Sequence, residues 1–192
     1  PDGKRLATLR ADEVIVWDAA SGSQLQAFSG HNYAAFSPDW SLLATVQPDD
    51  QVLLIYDIAS GQLIRKMDRG EDQAVNDLFF SPDGKVLAQK EYGDGNQLLL
   101  WNTSNGSLLY ALPEAYHFFA FSPDGKTFAT RNVKIEEPSP SENLPEGWVY
   151  RYVFISLWDV ASGEIIDSML VGGGDDEVQE LDFSPNGRTL AV

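Results

Sequence analysis

The side chains that most often carry catalysis are scarce in this chain. Its 192 residues include two histidines, His31 and His117, and no cysteine, which excludes cysteine nucleophiles, thiolate metal sites and disulfides. A histidine acts as a general base beside a placed nucleophile or carboxylate. No nucleophile elbow or phosphate-binding loop is present in the sequence. The residues therefore predict no catalytic set and no cofactor.

Two acidic stretches carry oxygen ligands of the kind that hard cations prefer. Asp175–Glu177 follow three consecutive glycines, and Asp94–Asn96 resemble part of a calcium loop. A run of acids after glycines usually forms a solvated loop, and Asp94–Asn96 also suit the turn of an ordinary hairpin. We therefore predict no metal site, and calcium binding is kept as an alternative.

The longest acidic and proline-rich segment spans residues 134–148. Its three prolines and four glutamates cannot build a core, so the segment should form an exposed loop. We interpret it as a recognition loop for a protein partner with a basic surface, and a tolerated insertion is the alternative. Trp148 either anchors such a partner, as aromatic residues do at interface hot spots, or packs on the adjacent strands. The predicted partner-binding residues are Glu136, Glu137, Glu142, Glu146, Trp148, Asp175 and Asp176.

The charge of the chain narrows the classes of partner. It has 29 acidic residues against 13 lysines and arginines, a formal net charge of −16. Nucleic acids and anionic membranes repel such a chain, and no segment approaches the ~18 apolar residues of a membrane span. We expect a protein partner, neither nucleic acid nor membrane, and a cytoplasmic location.

Two short motifs alternate along the chain and define its elements. The first is Phe-Ser-Pro-Asp-Gly, complete at Phe80–Gly84 and Phe121–Gly125. Proline presets φ, aspartate bonds the backbone and glycine accepts positive φ, which predicts a hairpin with a type I turn and a glycine bulge. Variants of this motif occur at Pro1–Gly3, Phe36–Trp40 and Phe183–Gly187. Trp40 stands where glycine is favoured, so its turn should be strained or differently shaped.

The second motif is an aromatic residue followed directly by aspartate or asparagine, with a glycine four residues after that acid or amide. Each copy follows an apolar run such as Val14–Val16. The pattern predicts that the aromatic ends a buried strand, that the Asp or Asn forms an Asx turn, and that the glycine leads to the next strand. The four copies are Trp17–Gly22, Tyr56–Gly61, Trp101–Gly106 and Trp158–Gly163.

With four short strands in each ~40–45 residues, the alternating motifs resemble those of a WD-repeat β-propeller over essentially the whole chain. The resemblance implies an all-β fold of four-stranded antiparallel blades. It also implies structural roles for the motif residues and for His31, which occupies the Gly-His place of the family. These structural residues are Trp17, Asp18, His31, Tyr56, Asp57, Trp101, Asn102, Trp158 and Asp159.

The chain departs from the family in its Gly-His pairs and in its number of blades. The pair occurs once, at Gly30 and His31, so the buried His–Asp–Ser/Thr–Trp network of the family should be incomplete in most blades. The repeats account for about four to four and a half blades, whereas propellers usually have about 4–8. We therefore expect the chain to form part of a larger ring. Open edges would favour self-association, and a four-bladed closure is the alternative. The predicted blades are 1–30 (without its first strand), 31–70, 71–113, 114–174 with the insert at 134–148, and the start of a fifth at 175–192.

A repeat architecture without a catalytic set favours a non-catalytic scaffold for protein–protein interaction. Two alternatives stay open: a regulatory propeller within a larger enzyme or signalling ATPase, and a propeller that binds calcium or a small ligand. Ser-Pro-Asp-Gly-Lys repeats also resemble those of prolyl-oligopeptidase-type peptidases and of the bacterial Tol system. The Trp-Asp motifs favour the WD type.

Overall fold

Antiparallel β-strands and tight turns make up the observed architecture. The computed structural model describes residues 3–10, 12–29, 33–47, 52–67, 74–92, 97–113, 119–138, 149–173 and 180–192. Within these ranges every regular element is a strand, so none of them contains a helix long and apolar enough to cross a membrane. The predicted all-β fold is confirmed.

The strands form five sheets in chain order, which we call blades 1 to 5. Blade 1 has three strands, β1 (Arg5–Arg10), β2 (Glu13–Asp18) and β3 (Gln24–Ser29). Blade 2 has β4 (Ala34–Phe36), β5 (Leu42–Gln47), β6 (Val52–Asp57) and β7 (Leu63–Met67). Blade 3 has β8 (Ala74–Phe80), β9 (Val86–Tyr92), β10 (Gln97–Asn102) and β11 (Leu108–Pro113). Blade 4 has β12 (Phe119–Phe121), β13 (Thr127–Glu136), β14 (Tyr150–Asp159) and β15 (Ile165–Gly173), and blade 5 has β16 (Asp182–Phe183) and β17 (Leu190–Ala191).

The core lies between blades. The chain divides into two compact units, Pro1–Ala111 and Leu112–Val192. In the first unit, buried residues of blade 2 such as Leu53 and Met67 pack with Leu87 and Trp101 of blade 3. The middle strands are covered on both faces and therefore read as continuous apolar runs instead of alternating patterns. In the second unit, Ala129, Ile155 and Leu181 form the buried cluster, with Leu157, Phe183 and Leu190 packed against it.

The Phe-Ser-Pro-Asp-Gly motif forms the predicted hairpin turn. At the copy in blade 3, the Gly84 N–H donates to Ser81 O at 2.8 Å, and Gly84 has φ of +72°. The Ser81 hydroxyl donates to Asp83 Oδ1 at 2.7 Å and accepts the Val86 N–H at 3.0 Å. The hydrogen bonds of Ser81 with Asp83 and with Val86 therefore connect the turn to the start of the next strand.

Trp40 adopts the glycine conformation of this turn. Its φ is +59° and its N–H donates to Ser37 O at 2.8 Å, so the turn keeps the shape of the glycine copies. A residue other than glycine in this left-handed backbone conformation costs about 1–2 kcal/mol of folding free energy. The indole ring stacks on Phe36 with centroids 4.7 Å apart, and the Arg5 guanidinium donates to Trp40 O at 2.9 Å. The predicted strain is confirmed, and the alternative of a different shape is wrong.

Candidate partner-binding site

The hairpin of β13 and β14 is longer than its counterparts. Both strands have ten residues, against six in β5 and β6, and their pairing continues from Val133 and Val153 to Glu136 and Tyr150. The predicted start of the loop at residue 134 is therefore too early, because residues 134–136 pair with residues 150–152 and extend the two strands. We call residues 133–138 and 149–153 the arm.

One face of the arm carries two tyrosines and an ion pair. Lys134 lies opposite Tyr152, and Glu136 opposite Tyr150, which places all four side chains on the same face. The tyrosine rings stack with centroids 6.3 Å apart. Lys134 Nζ lies 2.5 Å from Glu136 Oε1, and this hydrogen bond and the charge of Glu136 raise the pKa of Lys134. The face thus joins aromatic surface to paired charges.

The other face and the end of the arm expose apolar surface. Ile135 lies opposite Arg151 and is 62% exposed, and Val149 is 42% exposed. Apolar side chains that are exposed together at one end of a hairpin offer a surface that a protein partner can cover. Sequence reasoning missed Ile135, Tyr150 and Tyr152. The alternation of polar with apolar or aromatic residues on both sides of the insert was the available signal.

Only two of the seven residues predicted to bind a partner can be placed. Glu136 is on the tyrosine face of the arm, and Glu137, which follows it, is exposed. The partner-binding set therefore stays a prediction. The other predicted partner-binding residues, Glu142, Glu146, Trp148, Asp175 and Asp176, lie outside the described residues, as does His31.

The acidic and amide residues of the second motif form the expected Asx turns. The Ser21 N–H donates to Asp18 Oδ1 at 2.7 Å, and the Ser162 N–H donates to Asp159 Oδ1 at 2.7 Å. Asp57 Oδ1 accepts the equivalent bond from the Ser60 N–H at 2.8 Å, and Asn102 Oδ1 accepts it from the Asn105 N–H at 3.2 Å and also accepts the Ser104 N–H at 2.9 Å. Each of these side-chain oxygens accepts hydrogen bonds from the backbone of its own turn, which indicates a structural role.

The aromatic residues of the second motif reach back to the preceding strand. Trp17 Nε1 donates to Thr8 Oγ1 at 2.9 Å, and Trp158 Nε1 to Thr130 Oγ1 at 2.8 Å. In blade 2 the aromatic is Tyr56, and the buried hydroxyl of Thr45, at the equivalent register position, has no hydrogen-bond partner among the described residues. The loss of an indole N–H at this position leaves one buried polar group unsatisfied.

Blade 3 contains a longer version of this link. Trp101 Nε1 donates to Gln89 Oε1 at 3.0 Å, and Gln89 Nε2 donates to Glu91 Oε1 at 2.7 Å. Glu91 Oε2 accepts Gln97 Nε2 at 2.7 Å. Gln89 and Glu91 are 0% and 2% exposed. Two amides and a carboxylate therefore form a buried polar chain in this blade.

The described residues show no arrangement for metal chemistry. In the placed part of the chain, no group of three His, Cys, Asp or Glu side chains is positioned to hold a metal ion. The acidic run at 175–177 and the segment 94–96 fall outside the described ranges.

The turn aspartates predict how stability depends on pH. Hydrogen bonds from Ser37 and Ser41 lower the pKa of Asp39, and those from Ser122 and Lys126 lower that of Asp124. At Asp83 burial opposes the shift, but bonds from Ser81 and Lys85 outweigh it and the pKa is still lowered. A carboxyl group whose pKa is lower in the folded than in the unfolded state stabilises the fold fully at pH values above its unfolded-state pKa, about 3.9. This stabilisation is lost as the pH falls through the pKa of the folded state. We therefore expect the melting temperature to fall steeply below pH 4.

Asparagine should remove this acid sensitivity. Asn186 already accepts the Ser184 hydroxyl at 2.8 Å in the blade 5 turn without titrating. The combined variant Asp39→Asn, Asp83→Asn and Asp124→Asn should melt lower than the native chain at pH 7 and lose less on acidification, measured by circular dichroism from pH 7 to 3. The control Asp12→Asn, Glu164→Gln and Glu180→Gln makes the same charge change at exposed positions and should keep the native profile. Parallel profiles for both variants would contradict the assignment.

Comparison with known proteins agrees with this architecture. Residues 34–121 match the family model described as the anaphase-promoting complex subunit 4 WD40 domain. Tricorn protease homolog 1 of Streptomyces coelicolor is 34% identical over 116 residues, which are 58% of this chain and 11% of that protein. Eukaryotic translation initiation factor 3 subunit I of Emericella nidulans is 28% identical over 206 residues, which are 96% of this chain and 54% of that protein.

A solved structure supports the fold independently. The β-propeller domain of Myceliophteria thermophila Cps50 (Swd1) superposes with a TM-score of 0.64 at 16% identity, covering 98% of this chain and 57% of that one. The chain thus spans about half the length of the initiation factor subunit and of this propeller domain, and a smaller share of the protease homolog. The repeated motifs, the four-stranded blades and these similarities show a β-propeller fold and support repeats of the WD type.

Proposed function

We propose that the chain is a non-catalytic interaction module that binds a protein partner through the arm. The observation that carries the proposal is the extension of β13 and β14 beyond the other hairpins, with Ile135 62% exposed at its end. Relatives named as subunits of a translation initiation factor support a place in a multiprotein assembly. The expected cytoplasmic location rests on the same similarity.

The chemistry of the arm favours a partner with a mixed apolar and basic surface. Ile135 and the stacked pair Tyr150 and Tyr152 offer anchors that lose little side-chain entropy on binding. Glu136 and Glu137 add negative charge beside them, in a chain with a net charge of −16. Complementary positive charge on the partner would speed association and fix orientation.

The partner is first captured by the natural full-length protein that carries a photo-crosslinking amino acid at Val149. The test is then the affinity of the full-length protein for that captured partner. We expect the double variant Ile135→Ala and Tyr152→Ala to weaken binding about 30-fold or more, as the loss of a hot spot does. Glu136→Lys with Glu137→Lys should slow association, and the effect should shrink as salt rises. Binding is measured by surface plasmon resonance with the captured protein.

The matched control is the double variant Leu63→Ala and Ile64→Ala. These side chains are 49% and 45% exposed on β7, so they remove similar apolar surface away from the arm. The control should bind as the native protein does. Equal affinities for all variants, or equal losses in arm and control, would show that the arm is not the binding site.

A second candidate is a regulatory propeller inside a larger enzyme. The match to 11% of the length of tricorn protease homolog 1 favours this reading, because propellers occur as parts of much longer chains. The intact mass of the natural polypeptide decides between the two. A mass well above 21.2 kDa, together with an activity that changes in the arm variants, would support the regulatory function.

A further inference from the structure

The hydrogen-bond link from the motif tryptophan of blade 4 has a fixed direction. Trp158 Nε1 donates to Thr130 Oγ1 at 2.8 Å, and the Thr130 hydroxyl donates to Asn132 Oδ1 at 2.7 Å. Because the amide oxygen of Asn132 accepts this bond, its Nδ2 directs two N–H groups away from Thr130. Among the residues that the structure describes, no acceptor is bonded to Asn132 Nδ2. The link therefore ends in two amide donors.

Asn132 lines a cavity of about 220 Å³ at the base of the arm. Asn132 lies opposite Phe154 in the β13–β14 pair, and Ser156 lies opposite Ser168 in the β14–β15 pair. Register of this kind places the side chains of three neighbouring strands on one face. The described lining residues all belong to blade 4 and are Asn132, Val133, Lys134, Phe154, Ser156 and Ser168.

The polar groups around this cavity are mainly hydrogen-bond donors. Ser156 is 4% exposed, and its Oγ lies 3.3 Å from Oγ of Ser168. One hydroxyl hydrogen lies between these two oxygens, so the other hydrogen is left for a ligand. Lys134 pairs with Glu136, but an ammonium group has three N–H donors and can bond a second acceptor. The cavity therefore suits a ligand with strong acceptor oxygens.

Blade 3 shows which acceptor fits the corresponding place. Gln89 receives the tryptophan N–H there, and Glu91, two residues further on, stands at the place of Asn132 in blade 4. The Glu91 carboxylate is 2% exposed and accepts Gln89 Nε2 and Gln97 Nε2, both at 2.7 Å. Four residues before the motif tryptophan, where blade 3 has Gln97, blade 4 has Phe154. Blade 4 thus offers amide donors and an apolar ring where blade 3 supplies its own carboxylate.

We propose that the cavity at the base of the arm binds the carboxylate group of a small monocarboxylic acid. Asn132 Nδ2 and a serine hydroxyl donate to the carboxylate oxygens, and Lys134 balances the charge. Phe154 packs against the apolar body of the acid. Charge-assisted hydrogen bonds are roughly twice as strong as neutral ones, so the acid is preferred over an amide of the same shape.

The charge around the cavity favours a singly charged ligand. Lys134 is the cation among the described lining residues, and Glu136 shares it. The whole chain has a net charge of −16, which repels a doubly charged phosphate more strongly than a carboxylate. This small-ligand function goes beyond partner binding by the arm and does not depend on it.

The test compares para-fluorobenzoate with its uncharged amide, para-fluorobenzamide, as probes of the natural full-length protein. Fluorine NMR of the probe measures binding through the broadening of its resonance during a titration with protein. We expect the acid to bind at least about 10-fold more tightly than the amide. Equal affinities, or no saturable broadening of the acid, would contradict the proposal.

Single substitutions show whether the acid occupies this cavity. Asn132→Asp keeps an acceptor for Thr130 but replaces the two N–H groups by a charged oxygen, so acid binding should weaken at least about 10-fold. Asn105→Asp makes the same change at an exposed turn of blade 3 and should bind as the native protein does. Glu136→Gln releases Lys134 from its ion pair and should tighten acid binding, with an effect that shrinks as salt rises.

The double variant Asn132→Glu and Phe154→Gln copies the closed polar chain of blade 3 into blade 4. Its circular dichroism should match that of the native protein, and it should not bind the acid because the chain then supplies its own carboxylate. Native affinity in this variant or in Asn132→Asp would place the acid elsewhere and overturn the proposal. Displacement of the acid by equimolar inorganic phosphate would show selection by charge alone and would overturn it as well.

Discussion

Replacing Phe128 by alanine should lower the free energy of unfolding by about 3–5 kcal/mol, the usual cost of emptying a buried aromatic site. Phe128 is 0% exposed and pairs in register with Trp158. The two rings stack with centroids 5.9 Å apart, and Phe121 packs on the other side at 5.9 Å. The cavity left between two rigid rings cannot collapse, so the cost should fall in the upper half of this range.

Urea unfolding followed by fluorescence measures this change, with the m-value showing whether the transition keeps its cooperativity. Phe79→Ala is the matched control, because Phe79 is 39% exposed and its removal leaves little cavity. The control should cost less than about 1 kcal/mol. Similar losses for both variants would mean that the Phe128 site is not the tightly packed centre of blade 4.

Trp101→Phe should lower the free energy of unfolding by about 2–3 kcal/mol, because it leaves a buried hydrogen-bond acceptor without its donor. The indole N–H of Trp101 is bonded to Gln89 Oε1 at 3.0 Å, and Gln89 and Glu91 are 0% and 2% exposed. Phenylalanine preserves the aromatic packing but leaves the Gln89 oxygen without its donor, in a place that water cannot easily reach. The hydrogen bond that Gln89 Nε2 donates to Glu91 Oε1 would then lose its fixed orientation.

The same substitution at Trp17 is the internal control. Its indole N–H bonds the hydroxyl of Thr8 at 2.9 Å, and both residues are partly exposed or exposed, so water can replace the lost donor. Trp17→Phe should cost less than about 1 kcal/mol. If denaturant midpoints of the two variants coincide, the buried polar chain of blade 3 contributes nothing beyond the packing of its tryptophan.

The features that sequence reasoning predicted well are the local ones. The turn at Ser81 to Gly84 and the Asx turn at Asp18 depend on residues within a few positions of each other, and both form as expected. The all-β fold followed because the same turns recur between apolar runs that are too short for helices. The Trp40 turn shows the limit of this reasoning, since stacking on Phe36 decided between strain and a new shape.

The tertiary structure alone decided which residues meet across strands. The length of the arm depends on the pairing of Lys134 with Tyr152 and of Glu136 with Tyr150, and a proline-rich insert conceals that register. The chain of Gln89, Glu91 and Gln97 likewise arises from sheet register. A motif residue forms hydrogen bonds within its own turn, whereas the arm and the polar chain exist only once strands that are distant in the sequence pair. For this reason the turns could be predicted and the arm and polar chain could not.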